Sequence, residues 1–398
     1  MKAPFPPIAP WFVAACLQCV VLLLPGGGSH AETPATEPEF SLHGFASQGY
    51  SNSTANNFNS SGQSGGSFDF REAVVNGRWR FAEHTSVAAQ ALYRAAPVSV
   101  DDGVRLDYAF LDHAFTGTLG ATGGVLLGRF KNPYGFFNET RDVPFTRSGI
   151  ILPQSMYTER GRPFTMSSQG ILVYADLYQP WGTLGFKGSY GKPVRGGAPL
   201  EYILFSRDLP GEFEPDRAAT AQLRYDGPEY GRGWSAALSY QQYAYDFSQP
   251  RSLGVDDFHF DFHTMAASLQ YDSGERWKVL GEVARGKAFD GAIRLGGYLQ
   301  ANYRLRPDVE VFARGDLMIL DERDRWGKKY AQSGRCPDYC RYAKDFSVGL
   351  NWDIRPDLQL RLEWHHVNGT AWLSGAENDL RDSTERWNLG LAQLSWRF

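Results

Sequence analysis

Seven charged side chains crowd one unusually apolar segment of the chain. Glu139, Arg141, Asp142, Arg147, Glu159, Arg160 and Arg162 all fall between Lys131 and Ser167, KNPYGFFNETRDVPFTRSGIILPQSMYTERGRPFTMS. Acids and bases mixed in this way suit electrostatic work. Around a narrow, water-filled opening with low-dielectric walls, each fixed charge is magnified and acts on passing ions. The same segment carries Phe136, Phe137, Phe145, Ile150, Ile151, Leu152, Met156, Tyr157 and Phe164, too much oily surface for a long loop to leave in water. Folding inward against a wall would bury it.

Covalent chemistry has weaker support. His365 and His366 stand beside Glu363, yet successive residues of a strand point to opposite sides, His365 to the lumen and His366 to lipid or the girdle, a poor geometry for joint catalysis or a shared metal. His259 and His263 share a phase with Asp257 and Asp261, either as a lumenal acid–histidine row or as polar pore wall. No Gly-x-Ser-x-Gly, His-Glu-x-x-His or phosphate-cradling glycine loop occurs. No catalytic residue, cofactor or metal is assigned, and the chain is not read as an enzyme. Cys336 and Cys340 lie four apart in SGRCPDYCRYAKD. In an oxidising compartment they form a short disulfide; a two-cysteine metal site is the alternative, without a histidine nearby to complete it.

The elements that position these groups are strands with two different faces. In the last twelve residues, Gly390, Ala392, Leu394, Trp396 and Phe398 alternate with Gln393, Ser395 and Arg397. Leu358, Leu360, Leu362 and Trp364 alternate with Gln359, Arg361, Glu363 and His365, and the pattern recurs upstream. Inner faces this charged cannot pack in a dry core, so they imply an aqueous lumen. Arg78, Arg80, Arg94, Arg314 and Arg361 share the lumenal phase and are the wall candidates facing the loop.

Turn signals divide the chain into about sixteen strands, an even number within the range of bacterial barrels. They fall near residues 41–51, 68–81, 85–96, 104–116, 122–130, 168–177, 183–191, 218–226, 234–247, 257–272, 277–287, 292–305, 309–320, 344–354, 358–368 and 387–398. Short links alternate with long polar ones, except at Ala288 to Gly291. Two short links, Leu305-Arg306-Pro307-Asp308 and Ile354-Arg355-Pro356-Asp357, repeat one chemistry, with proline where a tight turn wants a fixed φ.

Met1 to Ala31 reads as a secretory leader, with Lys2, an apolar core from Trp11 to Leu24 and the small-x-small site Ser29-His30-Ala31. Cys16 and Cys19 leave with it. A lipid attachment at Cys16 is disfavoured because the oily run continues beyond that residue. Residues 32–398 then form one barrel domain. A net charge of -4 and a pI near 6.1 give no reason to propose nucleic acid; the mean hydropathy is -0.38, and no later run is long and apolar enough for a membrane helix.

The strand tally and a long inward loop after the fifth strand resemble the general porins of Gram-negative bacteria. Gly128-Arg129-Phe130-Lys131-Asn132-Pro133-Tyr134-Gly135, Asn138-Glu139-Thr140-Arg141-Asp142 and Leu152-Pro153-Gln154-Ser155-Met156-Tyr157 resemble a set of proteobacterial porin-like proteins, over roughly Leu42 to Tyr174. The expected fold is an all-β, transmembrane, antiparallel up-and-down barrel with an inward constriction loop. The expected function is passive diffusion of small hydrophilic solutes or ions through the outer membrane. The rival is an occluded barrel that binds or adheres through its long outer loops. The resemblance also implies outer-membrane lipid and lipopolysaccharide as surroundings, a homotrimer, and a transverse field between acid on the loop and base on the wall. Alternatively, the same charges pair with one another and pin the loop, or stand solvated at the rim.

Overall fold

The computed structural model describes residues 38–58, 66–95, 103–117, 120–194, 212–229, 231–248, 257–375 and 377–398. The expected leader lies outside them. Strands β1 (Glu39–Ser53), β2 (Gly66–Ser67), β3 (Arg71–Ala82), β4 (Thr85–Ala95), β5 (Gly103–Thr116) and β6 (Ala121–Lys131) precede the long loop. After it come β7 (Ser167–Gln179), β8 (Gly182–Pro193), β9 (Glu212–Asp226), β10 (Gly233–Ser248), β11 (Phe258–Asp272) and β12 (Trp277–Lys287). The wall is completed by β13 (Ile293–Arg306), β14 (Val309–Ile319), β15 (Tyr342–Arg355), β16 (Leu358–Gly369) and β17 (Arg386–Arg397). Apart from the two-residue β2, which caps the end of β1, these are sixteen antiparallel wall strands, each paired to its chain neighbour. Pairing of β1 with β17, from Phe45 opposite Arg397 to Ser53 opposite Leu389, closes the cylinder. No edge is left bare.

Alternation decides which face is which. Leu238, Met265, Val283, Leu299, Leu362 and Leu394 are exposed on the outside, while Ser239, Glu282, Gln300, Glu363 and Gln393 on the same strands are buried inside. Aromatic pairs ring the end of the barrel that carries the short turns: Trp181 with Tyr225, Trp234 with Tyr271, Trp277 with Tyr303 and Trp396 with Phe398, with centroids 4.6–5.9 Å apart. Apolar outer surface bounded by such a girdle is what a strand wall needs in lipid. The two proline turns are built alike. Each follows a register shift in the preceding strand, and Arg306 and Arg355 each reach the aspartate two residues on, Asp308 and Asp357, at 2.9 Å.

Two expectations are corrected. Phe260 is buried inside the wall and Phe262 packs against the same cluster, so His259, Asp261 and His263 face outward; Asp257 precedes β11. There His259 meets Asp246 at 2.7 Å and Asp261 meets Arg217 at 3.2 Å. Nor do all inner charges require water. Arg94, Arg314, Arg361, Glu363 and His365 are buried, because the long loop packs on top of them.

Candidate functional site

The loop leaves β6 and returns to β7 stitched at its base. Asn132 N donates to the Met166 carbonyl at 2.8 Å, and Asn132 and Tyr243 both hydrogen-bond the Thr165 carbonyl at 2.9 Å. Between these points it crosses the lumen, and its apolar side chains find seats along the wall. Phe164 packs with Phe213 and Tyr245, and Leu152, Met156 and Tyr157 with Ala266, Leu280 and Tyr298. Ile150 and Ile151 join Val367, Trp372 and Trp387, while Val143 and Phe145 rest against Phe45, Val74 and Leu92. Fully burying one such side chain is worth about 1.5–3 kcal/mol, so the oily loop is a fixed insert.

Polar groups complete the attachment. Glu282 on β12 accepts from Phe136 N at 2.9 Å, Tyr157 Oη at 2.7 Å, Tyr298 Oη at 2.7 Å and Ser268 Oγ at 2.6 Å. Next to it Gly135 has φ +55°, and a Cβ there would lie 2.1 Å from Tyr157 Oη, so only glycine fits. Glu363 on β16 accepts from the amides of Ile150 and Ile151, and pairs with Arg314 at 2.9 Å and His365 Nε2 at 3.1 Å. His365 Nδ1 meets Asp345 at 3.0 Å. Arg361 donates to the carbonyls of Pro144 at 3.1 Å and Gly149 at 2.6 Å.

The seven loop candidates therefore divide. Arg141 and Glu159 pair at 2.9 Å, and Glu159 continues to Arg94, which holds Glu72, each at 2.8 Å. Burial raises the Glu159 carboxyl, but Arg94 and Arg141 outweigh it and hold it at about 2. Asp142 is clamped by Lys131 and Arg162. Arg147 turns back to the Gly149 and Ile150 carbonyls at 3.3 and 3.0 Å. Arg160 points toward the long-loop end and reaches the Ala371 carbonyl at 3.4 Å. Glu139 alone of the seven faces a half-exposed partner charge across the lumen: Lys187 on β8, at 2.7 Å.

Of the wall candidates, Arg94, Arg314 and Arg361 lie under the loop, and Arg80 stands at the short-turn end opposite Glu39 at 3.3 Å. Arg78 is half exposed and pairs with Asp112 at 2.9 Å, whose other oxygen accepts from Tyr174 Oη at 2.9 Å. Arg224 lies over the Phe136 ring at 5.3 Å and pairs with Asp226 at 2.7 Å. The solvated charges thus gather where the β3–β9 wall faces Phe136 and Glu139. Lys187, Asp112 and Arg224 are absent from the sequence-derived set. Lys187 and Arg224 carried the lumenal phase. Asp112 was obscured, because Tyr108 and Phe110 share its face and a bulge opposite Gln90 resets the count.

Cys336 and Cys340 are joined as a disulfide in the 321–343 loop. His366 faces outward against Asn388, away from His365.

No protein-family model matches the chain, and no curated protein does. Solved structures do match in fold. The outer membrane channel DcaP of Acinetobacter baumannii aligns with a TM-score of 0.56 and 12% identity over 90% of this chain and 97% of that one. The anion-selective porin from Comamonas acidovorans aligns at 0.54 and 12% over 91% and 100%. OmpF of Salmonella typhi, in complex with daunomycin, aligns at 0.54 and 13% over 90% and 97%. At these identities the likeness is one of architecture: this chain has the closed antiparallel barrel fold of those porins and channels.

Proposed function

We propose that the protein is an outer-membrane porin, a passive diffusion channel for small hydrophilic solutes or ions in a Gram-negative bacterium. The observation that carries this reading is the half-exposed pair Glu139–Lys187, flanked by Arg78, Asp112 and Arg224. Such a mixture lines water, inside a cylinder whose outside is apolar. Loop 131–167 sets the size limit, and this small group of charges sets ion preference. Passage involves no bond making, and we assign no catalytic role. Outer-membrane lipid and lipopolysaccharide would meet the outer wall. We further propose a homotrimer, because Gly390, Ala392, Ala46, Ala73, Gly77 and Ala89 leave adjoining outer strands flat; migration of unboiled protein on a gel tests it.

One observation favours the rival, an occluded binding or adhesion barrel: the loop touches wall strands on almost every side. Planar-bilayer recording separates the two. Stepwise currents are expected, and a folded barrel silent at every voltage sinks the channel.

A further inference from the structure

Three arginines lie at the long-loop mouth of the lumen, on the opposite side of the inserted loop from the short turns, with Arg294 in electrostatic reach of both Arg160 and Arg341. Arg294 lies on the inner phase of β13, in line with buried Tyr298, and is exposed. Beside it, Leu295 opposes Ile319 and Ile319 opposes Tyr342, so the next level holds Leu320 with Arg341, whose carbonyl accepts from Leu320 N at 3.0 Å. Arg341 shares the phase of buried Ala343 and stacks on the Tyr330 ring at 4.4 Å. Arg160 arrives from the inserted loop. The carbonyl it reaches belongs to Ala371, whose own amide donates to Tyr342 at 3.2 Å. The loop backbone forms the floor: a Cβ on Gly296, two residues from Arg294, would lie 2.4 Å from the Ser155 carbonyl.

Charge around Arg294 and Arg341 is unbalanced among the described residues. Among the described residues Arg294 and Arg341 form no ion pair, and the Nε of Arg341 is buried without a hydrogen-bond partner. The acids that act on Arg294 and Arg160 are Asp290, which caps Ala292 N, and Glu377 respectively. Both oxygens of Glu377 are buried without hydrogen-bond partners, and burial, opposed by Arg160, pushes its carboxyl up to about 8. Near neutral pH it does little to cancel the arginines. Guanidinium forks held this near one another suit an oxyanion, which takes paired N–H donors.

We propose that Arg160, Arg294 and Arg341 form an oxyanion-docking site that takes small soluble molecules bearing a carboxylate, phosphate or sulfate group. Its use as a staging point before passage rests on the channel reading; the binding itself does not. Titrating the detergent-solubilised full barrel with sodium sulfate, followed calorimetrically, tests it. Saturable uptake is expected, weakened about tenfold in Arg294→Gln, the loss of one charge-assisted contact, and unchanged in Arg80→Gln at the far mouth. Arg294→Lys keeps the charge but not the fork and should fall between. Absent saturable binding, or equal binding by wild type and Arg294→Gln, overturns the site. Bilayer currents recorded on the same preparations report separately on the channel.

Discussion

Two halves of one lumen use the same kinds of residue for opposite ends. Toward β14–β16, Arg314, Glu363 and His365 are dry and mutually paired, Arg361 beside them is spent on loop carbonyls, and the amides of Ile150 and Ile151 close over Glu363. Toward β3–β9, Arg78, Lys187 and Arg224 are half exposed, each paired with a carboxylate. The first half holds the insert. The second meets solvent. An inner-facing charge is therefore no guide to selectivity until its coverage is known.

The contrast can be broken most severely at Glu363. Glu363→Ala would strand Arg314 and His365 without their shared carboxylate, an effect of about 3–5 kcal/mol, read as a large drop in the temperature at which the barrel loses its fast gel mobility. A barrel as heat-stable as wild type would mean that the covered half is not what holds the loop. Next, Gly135→Ala forces a side chain into the +55° backbone and against Tyr157, at a cost of about 1–3 kcal/mol; loosening of the loop should appear as noisier current. Acid gives a third handle. Glu159 is depressed to about 2, so its stabilising share is intact above the ordinary carboxylate range near 4 and is lost as pH falls through about 2. The loop should stay seated at pH 5 and loosen toward pH 2, seen by proteolysis between residues 131 and 167 after acid exposure. The smallest effect on stability, below about 1 kcal/mol because the pair is screened, belongs to Glu139→Gln or Lys187→Gln. Yet these should move the reversal potential in opposite directions while Arg141→Gln leaves it unmoved. A shift with Arg141→Gln and none with Glu139→Gln would reverse the assignment of the two halves.

Much of the wall was readable in advance because strand period and membrane constraint act locally: the phases of Leu358–His365 and of Leu295–Leu305 are as the alternation implies. The apolar content of 131–167 likewise announced an inward loop. What composition could not tell was coverage. Arg141 and Glu139 are two residues apart in one segment, and only the path of the loop across the lumen sends one under Tyr157 and Thr158 and the other toward Lys187. The row His259–Asp261–His263 failed for a related reason. Phe260 and Phe262 occupy the inner face there because they pack with Phe213 and Tyr245 around the loop's Phe164, so the usual polar-in rule is inverted near that seat.

The seam between β1 and β17 joins Ser47 to Ser395, 348 positions apart, and Phe398 exchanges amide bonds with Gly44 at 3.0 and 3.2 Å. A nascent chain lacking β17 would present two raw sheet margins, ready templates for aggregation. Closing the cylinder thus joins the most distant strands of the chain, a pairing slow by its topology, and any interval before it would favour an escort that masks both margins.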